Sequence, residues 1–260
     1  MEFLEDSLTQ MGADLFGIHE HRRTAILRNI RKAVPRMRYS LRYSPLLVLM
    51  AACASAQDPY TVAGDHYHLV FENEWARVSR VTYGPHETAP VHQHPPTPTT
   101  IYIYVTDGGE FRFNHITGFK VSGFTITRPA VKAGAIRFAH SAPETHTVEY
   151  LGDAPTEYVR IELRTESLGI PIRDVRIPPA AMDPARSAVK KEFENGQVRI
   201  LRVVCASGES CPASDNPDDP AIVTIMTGPD KGSVQFSPET EKGPREEVRV
   251  ELKTSPVDQK

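Results

Sequence analysis

The sequence predicts an all-β protein: one complete barrel followed by a second, truncated copy of the same unit. Three observations carry that expectation. From residue 60 onward the chain is a succession of short β-branched and aromatic runs. Gly and Pro, 16 and 22 in number, punctuate those runs as turns. A stretch beginning at Phe71 recurs at a constant offset of 122 residues. No long stretch with a 3.6-residue period competes with this reading.

The elements follow in order. Residues 66–71 alternate and end at Glu72 and Asn73. Residues 76–83 set Val78, Val81 and Tyr83 among Arg77 and Arg80. Residues 100–106 form a β-branched and aromatic run, after which Asp107, Gly108 and Gly109 predict a hairpin turn. Residues 110–114, 120–127, 135–138, 145–150 and 157–164 predict further short strands. Regular short strands of this kind make a sandwich or a barrel. The first copy spans 60–166, a Pro-rich linker 167–185, and the second copy 186–254.

The duplication is explicit at both ends of the copies. Phe71, Glu72, Asn73, Arg77, Arg80 and Val81 match Phe193, Glu194, Asn195, Arg199, Arg202 and Val203. Glu87, Pro90 and Pro95 keep the same offset to Glu209, Pro212 and Pro217. Val159, Arg160, Glu162 and Leu163 match Val248, Arg249, Glu251 and Leu252, now at an offset of 89. The second copy has therefore lost about 33 residues from its middle, the difference between 122 and 89. A copy so shortened cannot close a barrel, and its edges need cover from the first copy or from a partner. A homodimer formed through this copy is one expectation.

The first 56 residues differ in character. Residues 1–36 are polar and of mixed charge, with a predicted helix over 24–33, and read as an extension upstream of a start at Met37. Residues 37–56 read as a signal peptide: Arg38 and Arg42, an apolar run over 45–52, then Ala54, Ser55 and Ala56 as a small-x-small cleavage pattern. The run falls well short of the roughly 20 residues that span a bilayer. Cleavage after Ala56 predicts a periplasmic or secreted protein; lipidation at Cys53, which ends a lipoprotein-like Met50-Ala51-Ala52-Cys53, is the alternative. Eight of the 30 basic and five of the 33 acidic residues precede Gln57, which leaves 22 and 28, a net charge of −6. That balance, without any basic stripe, argues against nucleic acid as a partner. Cys205 and Cys211 remain, either as a disulfide suited to an oxidising compartment or as two thiols.

Chemistry concentrates in the first copy. In a strand, residues two apart share a face, so His92 and His94 point the same way. Two imidazoles inside an apolar barrel need partners, and a metal is a natural one. His146, at the start of a predicted strand, is available as a third ligand. His140 reads as a loop or rim residue and a lesser candidate for the site, and His66 and His68 as a second His-x-His on a surface strand. Tyr102 and Tyr104 share a face and read as core or pocket lining.

These residues give a resemblance. Gly84, His92, His94 and Gly108 match the first motif of the cupins, and Gly134 and His146 match the second. The first copy, 60–166, is similar to the small bacterial RmlC-like cupins. The resemblance implies a jelly-roll barrel, a double-stranded β-helix, that binds a divalent metal through His92, His94 and His146. Iron, zinc, nickel, copper or manganese would suit such ligands, and ligand type alone does not choose among them. The carboxylate usual near position 98 or 99 is missing, because Pro98 and Thr99 stand there. That resembles the three-histidine cupins, which include thiol and diketone dioxygenases. Glu87, Glu144 and Glu149 could each supply a carboxylate, but the sequence places none of them inward. In the second copy Ser214 and Asn216 replace the paired histidines.

Three functions are compatible with this pattern: a small-molecule metalloenzyme, dioxygenase-like or isomerase-like; a metal-free ligand-binding barrel of the periplasm; and an assembly protein. Barrels of this fold serve many reactions, so the fold does not name one.

Overall fold

A computed structural model describes residues 58–94, 97–116, 123–141, 144–166, 175–213, 216, 219–236 and 244–257; for 97, 98, 140 and 141 it describes the backbone only. The chain divides into two units, Met1–Cys53 and Ala54–Lys260. The first lies wholly outside the described residues, as do the predicted upstream extension, the signal peptide and Cys53. Among the described residues no helix is long and apolar enough to cross a membrane.

One short helix, α1 (Pro59–Val62), precedes fifteen strands among the described residues. Nine build the barrel: β1 (Tyr67–Glu72), β2 (Ala76–Tyr83), β3 (Thr88–His94), β4 (Thr97–Tyr104), β5 (Phe111–His115), β6 (Phe124–Arg128), β7 (Ile136–Ser141), β8 (Glu144–Tyr150) and β9 (Thr156–Leu163). Then come β10 (Val175–Ile177), β11 (Ala188–Glu194), β12 (Val198–Cys205), β13 (Ala221–Ile225), β14 (Val234–Phe236) and β15 (Arg245–Leu252). β10 lies inside the stretch 167–185 expected as linker, and pairs antiparallel with β7.

The strands form three sheets. The site sheet runs β3-β8-β5-β6, the middle sheet β1-β2-β9-β4-β7-β10, and the rear sheet β11-β12-β15-β13-β14. The two-residue period of a strand assigns each side chain of the middle sheet to one of two cores. Val81, Tyr83, Tyr102, Tyr104 and Tyr158 meet Ala89, Phe111, Phe113, Val148 and Tyr150 of the site sheet, and this is the barrel interior. Val78, Ile101, Ile103, Ile136, Phe138, Val159 and Ile161 face the other way, onto Val198, Ile200, Ile222, Val248 and Val250 of the rear sheet. This architecture is a cupin-type barrel with a second, incomplete cupin unit packed on its back.

The Asp107–Gly109 segment does not close the expected hairpin. β4 pairs with β7 and β9, whereas β5 pairs with β6 and β8, so the segment crosses from one sheet to the other. The crossing needs backbone contact that only Gly permits: a Cβ on Gly109 would sit 2.5 Å from the Gly152 Cα. Asp107 fixes the corner by accepting from the Ala133 N–H and the Lys132 ammonium.

The rear sheet repeats the first turn and the strand register of the middle sheet. Asn73 Oδ1 accepts from the N–H groups of Trp75 and Ala76; Asn195 Oδ1 accepts from those of Gln197 and Val198. Both copies carry an irregularity two residues before this turn, at Leu69/Phe71 and at Lys191/Phe193. Ala76 pairs with Leu163 as Val198 pairs with Leu252, so both offsets read from the sequence are register equivalences. Strand by strand, β11-β12-β15-β13-β14 corresponds to β1-β2-β9-β4-β7. Among the described residues the rear unit has no counterpart of β3, β8, β5 or β6. Among the described residues the second copy keeps the packing sheet and shows no equivalent of the sheet that carries the histidines.

The face of the rear sheet that would line a barrel holds a largely buried charge ladder instead. Arg199 pairs with Glu251 at 2.9 Å, and Glu247 pairs with Arg245 and Arg249 at 2.9 and 2.7 Å. Beside it, Leu201, Val203 and Cys205 pack against Cys211, which is disulfide-bonded to Cys205 with a Cα–Cα distance of 4.6 Å. The loop is short, so its closure restrains the unfolded chain only modestly. Replacing both cysteines with Ser is expected to cost about 2 kcal/mol. Urea unfolding of the oxidised wild type beside the variant measures this; equal midpoints would contradict it.

Candidate metal centre

Strand register assembles the centre. β8 lies between β3 and β5, and His92 pairs with His146, which pairs with His115. One rung of the site sheet therefore carries three imidazoles in a row. His94 enters from the next inward position of β3, opposite Glu144. His92, His94 and His146 are 0, 3 and 2% exposed. Their rings stand edge to face, with centroids 4.7–5.3 Å apart. The three rings predicted from the sequence are thus brought together inside the barrel, and one ligand nitrogen from each lies within 4.8 Å of the others.

The donor set can be tested ring by ring. His92 Nδ1 lies 2.8 Å from the Pro90 carbonyl, an acceptor only, so Nδ1 carries the proton and Nε2 presents its lone pair. That is the usual outer-shell arrangement of a ligating histidine. His146 Nε2 lies 3.2 Å from His92 Nε2. Nitrogens bound about 2.0–2.1 Å from one tetrahedral metal stand about 3.3 Å apart, so this pair is spaced as co-ligands are. The opposite nitrogen of His146, Nδ1, is buried without a hydrogen bond and lies 3.7 Å from Glu144 Oε2. His94 departs from the pattern. Its Nδ1 accepts from Arg160 Nη1 at 2.7 Å, so in a neutral ring Nε2 holds the proton. His92 and His146 fit a metal as they stand; His94 fits through Nε2 once its ring proton moves to Nδ1, which the Arg160 hydrogen bond opposes.

Electrostatics separate the groups. Burial pushes the His92 pKa down to about 4, against the Pro90 hydrogen bond, and His146 and Arg160 add to the depression. Burial, then Arg160, holds His94 well below the ordinary range. Both rings stay neutral, the form that ligates metal. Arg160 is 2% exposed and ion-paired with Glu162 at 2.9 Å. Burial acts against its charge, and Glu162 together with Tyr102, Tyr67 and Tyr60 more than restores it. Burial alone would raise Glu144, but His146, Arg128 and His115 outweigh it and hold the carboxyl near 2.

The structure settles which carboxylate belongs here. Glu144 faces both His146 and His115, at 3.7 Å from each Nδ1. Glu149 pairs with Arg112, and Glu87 is half-exposed beside His66 and the Gly84 N–H. Thr99, at the position where the usual carboxylate is missing, turns to the rear sheet and donates to Gln197 at 2.7 Å. His66 corrects an expectation: it is not a surface residue but is buried, stacked on Tyr83 with centroids 4.3 Å apart, while His68 is exposed. The backbone of His140 lies in β7 rather than in a loop, and its side chain is outside the described residues. Ser214 also lies outside them, and Asn216 is exposed beside Asp219.

Three site residues escaped sequence reasoning. Tyr67, between His66 and His68, puts its hydroxyl 3.3 Å from His92 Nε2, and burial raises its pKa well above the ordinary value. His115 stacks on Phe124 at 4.5 Å and completes the rung. Arg160 reaches the cluster from the middle sheet. Its presence in both copies beside an acidic residue two positions on, as Arg160/Glu162 and Arg249/Glu251, was the available signal.

Fold and cluster together define a class: a cupin barrel with a buried three-histidine candidate metal centre, backed by half a second cupin. No family model and no curated protein matches the chain. Among solved structures it is similar to the protein YhaK from Escherichia coli, at 14% identity over 74% of this chain and 91% of that one, with a TM-score of 0.49. It is similar to the bacterial pirin YhhW of Escherichia coli, solved in complex with nickel(II), at 12% identity over 79% and 90%, TM-score 0.47. A quercetin 2,3-dioxygenase from Acinetobacter baumannii aligns at 14% identity over 69% and 75%, TM-score 0.43.

Proposed function

We propose that this protein is an exported metalloenzyme whose barrel holds a divalent metal through His92, His94 and His146 and acts on a small organic molecule. The observation that carries the reading is the 3.2 Å approach of two buried imidazole nitrogens, His92 Nε2 and His146 Nε2, with His92 locked in the ligating tautomer by Pro90. A metal held by three imidazoles keeps open positions and supplies a Lewis acid or a site for dioxygen. The Glu144 carboxylate, 3.7 Å from His146 Nδ1, stands where a small approach would let it accept a hydrogen bond from the Nδ1–H and so direct Nε2 toward the cluster. Tyr67 holds its proton beside the same nitrogens. The Cys205–Cys211 disulfide supports export, since such bonds persist in oxidising compartments.

Elemental analysis of the purified protein is expected to find about one metal per chain. The His92→Ala/His146→Ala variant is expected to lose it while keeping a β-rich circular dichroism spectrum. A protein that neither retains nor takes up iron, zinc, nickel, copper or manganese ends this reading. One observation favours a second, a metal-free ligand-binding barrel: the Arg160 guanidinium already occupies His94 Nδ1. A ligand that raises the melting temperature of the metal-free protein supports it.

A further inference from the structure

The row of histidines extends past the three rings of the proposed centre. β8 presents Glu144 and His146 on one face, two residues apart, and β5 sets His115 directly opposite His146. Glu144 Oε2 lies 3.7 Å from His115 Nδ1 and 3.7 Å from His146 Nδ1. One ligand atom from each of these three residues lies within 4.8 Å of the others. His146 belongs to both groups, by opposite nitrogens: Nε2 meets His92 and Nδ1 meets Glu144.

This second group is buried and unsatisfied. His115 and His146 are 9 and 2% exposed, and each keeps a buried ring nitrogen without a hydrogen bond, Nε2 of His115 and Nδ1 of His146. Such atoms cost free energy until they find a partner. Glu144 does not supply one as it stands, because 3.7 Å is too long for a hydrogen bond. The distance is close to that of co-ligands: donors about 2.1 Å from one tetrahedral metal stand about 3.4 Å apart. Strand pairing holds the backbones, and Phe124, stacked on His115 at 4.5 Å, holds the ring plane. Two imidazoles and a carboxylate are a donor set used by catalytic zinc and by non-haem iron(II).

We propose that His115, Glu144 and His146 form a second seat for a divalent transition metal, and that the His146 ring bridges two ions, through Nε2 to the first and through Nδ1 to the second. The bridge rests on the metalloenzyme reading; the second seat does not need His92 or His94. The second ion takes the place of the Nδ1 proton that Glu144 otherwise faces. The N–H bond breaks, the nitrogen–metal bond forms, and the proton leaves to solvent. The bridging ring then carries a negative charge, which with the Glu144 carboxylate offsets the repulsion between the two cations.

Equilibrium dialysis of the metal-stripped protein against zinc(II) tests the seat, and about two ions per chain are expected at saturation. His115→Ala/Glu144→Gln is expected to hold about one, and so is His92→Ala/His94→Ala, which leaves the second seat alone. Glu144→Gln by itself keeps the side-chain shape and is expected to weaken the second ion ~10-fold or more, which covers misfolding of the double variant. Loaded with copper(II), the wild type is expected to give less electron paramagnetic resonance intensity than the two single-seat variants together, because a shared imidazolate couples the spins. A wild type that saturates at one zinc and loses it in folded His92→Ala/His94→Ala overturns the second seat, as does unchanged zinc affinity in Glu144→Gln. A wild type that saturates at one zinc and keeps it in His92→Ala/His94→Ala supports the second seat and overturns the first centre. Undiminished copper intensity overturns the bridge.

Discussion

Replacing Arg160 and Glu162 together with Met is expected to tighten metal binding by about tenfold or more while leaving the barrel folded. Arg160 is a buried cation whose Nη1 is 2.7 Å from His94 Nδ1. It opposes a divalent ion in two ways. Its charge acts at short range through a medium of low dielectric, where a charge pair is worth several kcal/mol. Its donated hydrogen bond also forces the His94 proton onto Nε2. Without Arg160, Nδ1 can carry the proton and Nε2 can ligate. Each 1.4 kcal/mol so recovered is a factor of ten in affinity.

The single variant separates stability from binding. Arg160→Met alone leaves Glu162, 3% exposed, without its partner at 2.9 Å. Breaking a buried pair from one side costs about 3–5 kcal/mol, whereas replacing both members with apolar residues is often neutral. Urea unfolding should rank the wild type and the double variant together, with the single variant well below. Competition titration against a chromogenic chelator reads the metal affinity. Unchanged or weaker affinity in the folded double variant would show that Arg160 does not oppose the metal.

Phe138→Ala is expected to destabilise the whole unit by about 3–5 kcal/mol, and barrel and rear sheet should unfold in one transition. Phe138 is fully buried on the outward face of the middle sheet and meets Phe193, with ring centroids 4.9 Å apart. Around it the two copies share one apolar core, from Val78 and Ile161 on one side to Ile200 and Val250 on the other. Among the described residues neither sheet has another partner for that face, so the cavity left by the ring weakens both. Tryptophan fluorescence follows Trp75, which packs at the edge of the same core, and far-ultraviolet circular dichroism follows all strands. Coincident transitions are expected; two separated ones would mean that the copies fold independently.

The same logic explains why the second copy survives without its chemistry. Its retained strands are those that cover the outward face of the middle sheet. Ligand positions carry no such packing duty, and Asn216 stands exposed where the first copy has the buried His94.

By itself the sequence determined what depends on local period and on self-comparison. The two-residue repeat of a strand set His92 and His94 on one face, and the offsets of 122 and 89 marked register equivalences before any strand was paired. Only the tertiary structure decided which strands are neighbours. That choice carried Asp107–Gly109 from sheet to sheet instead of around a hairpin, and set His115 beside His146. It placed Glu144 across from His94 and brought Arg160 from the opposite sheet onto its ring. Strand neighbours are fixed by burial between segments from 31 residues apart, as for His115 and His146, to 87 apart, as for Ala76 and Leu163, a non-local balance that no short window of residues contains.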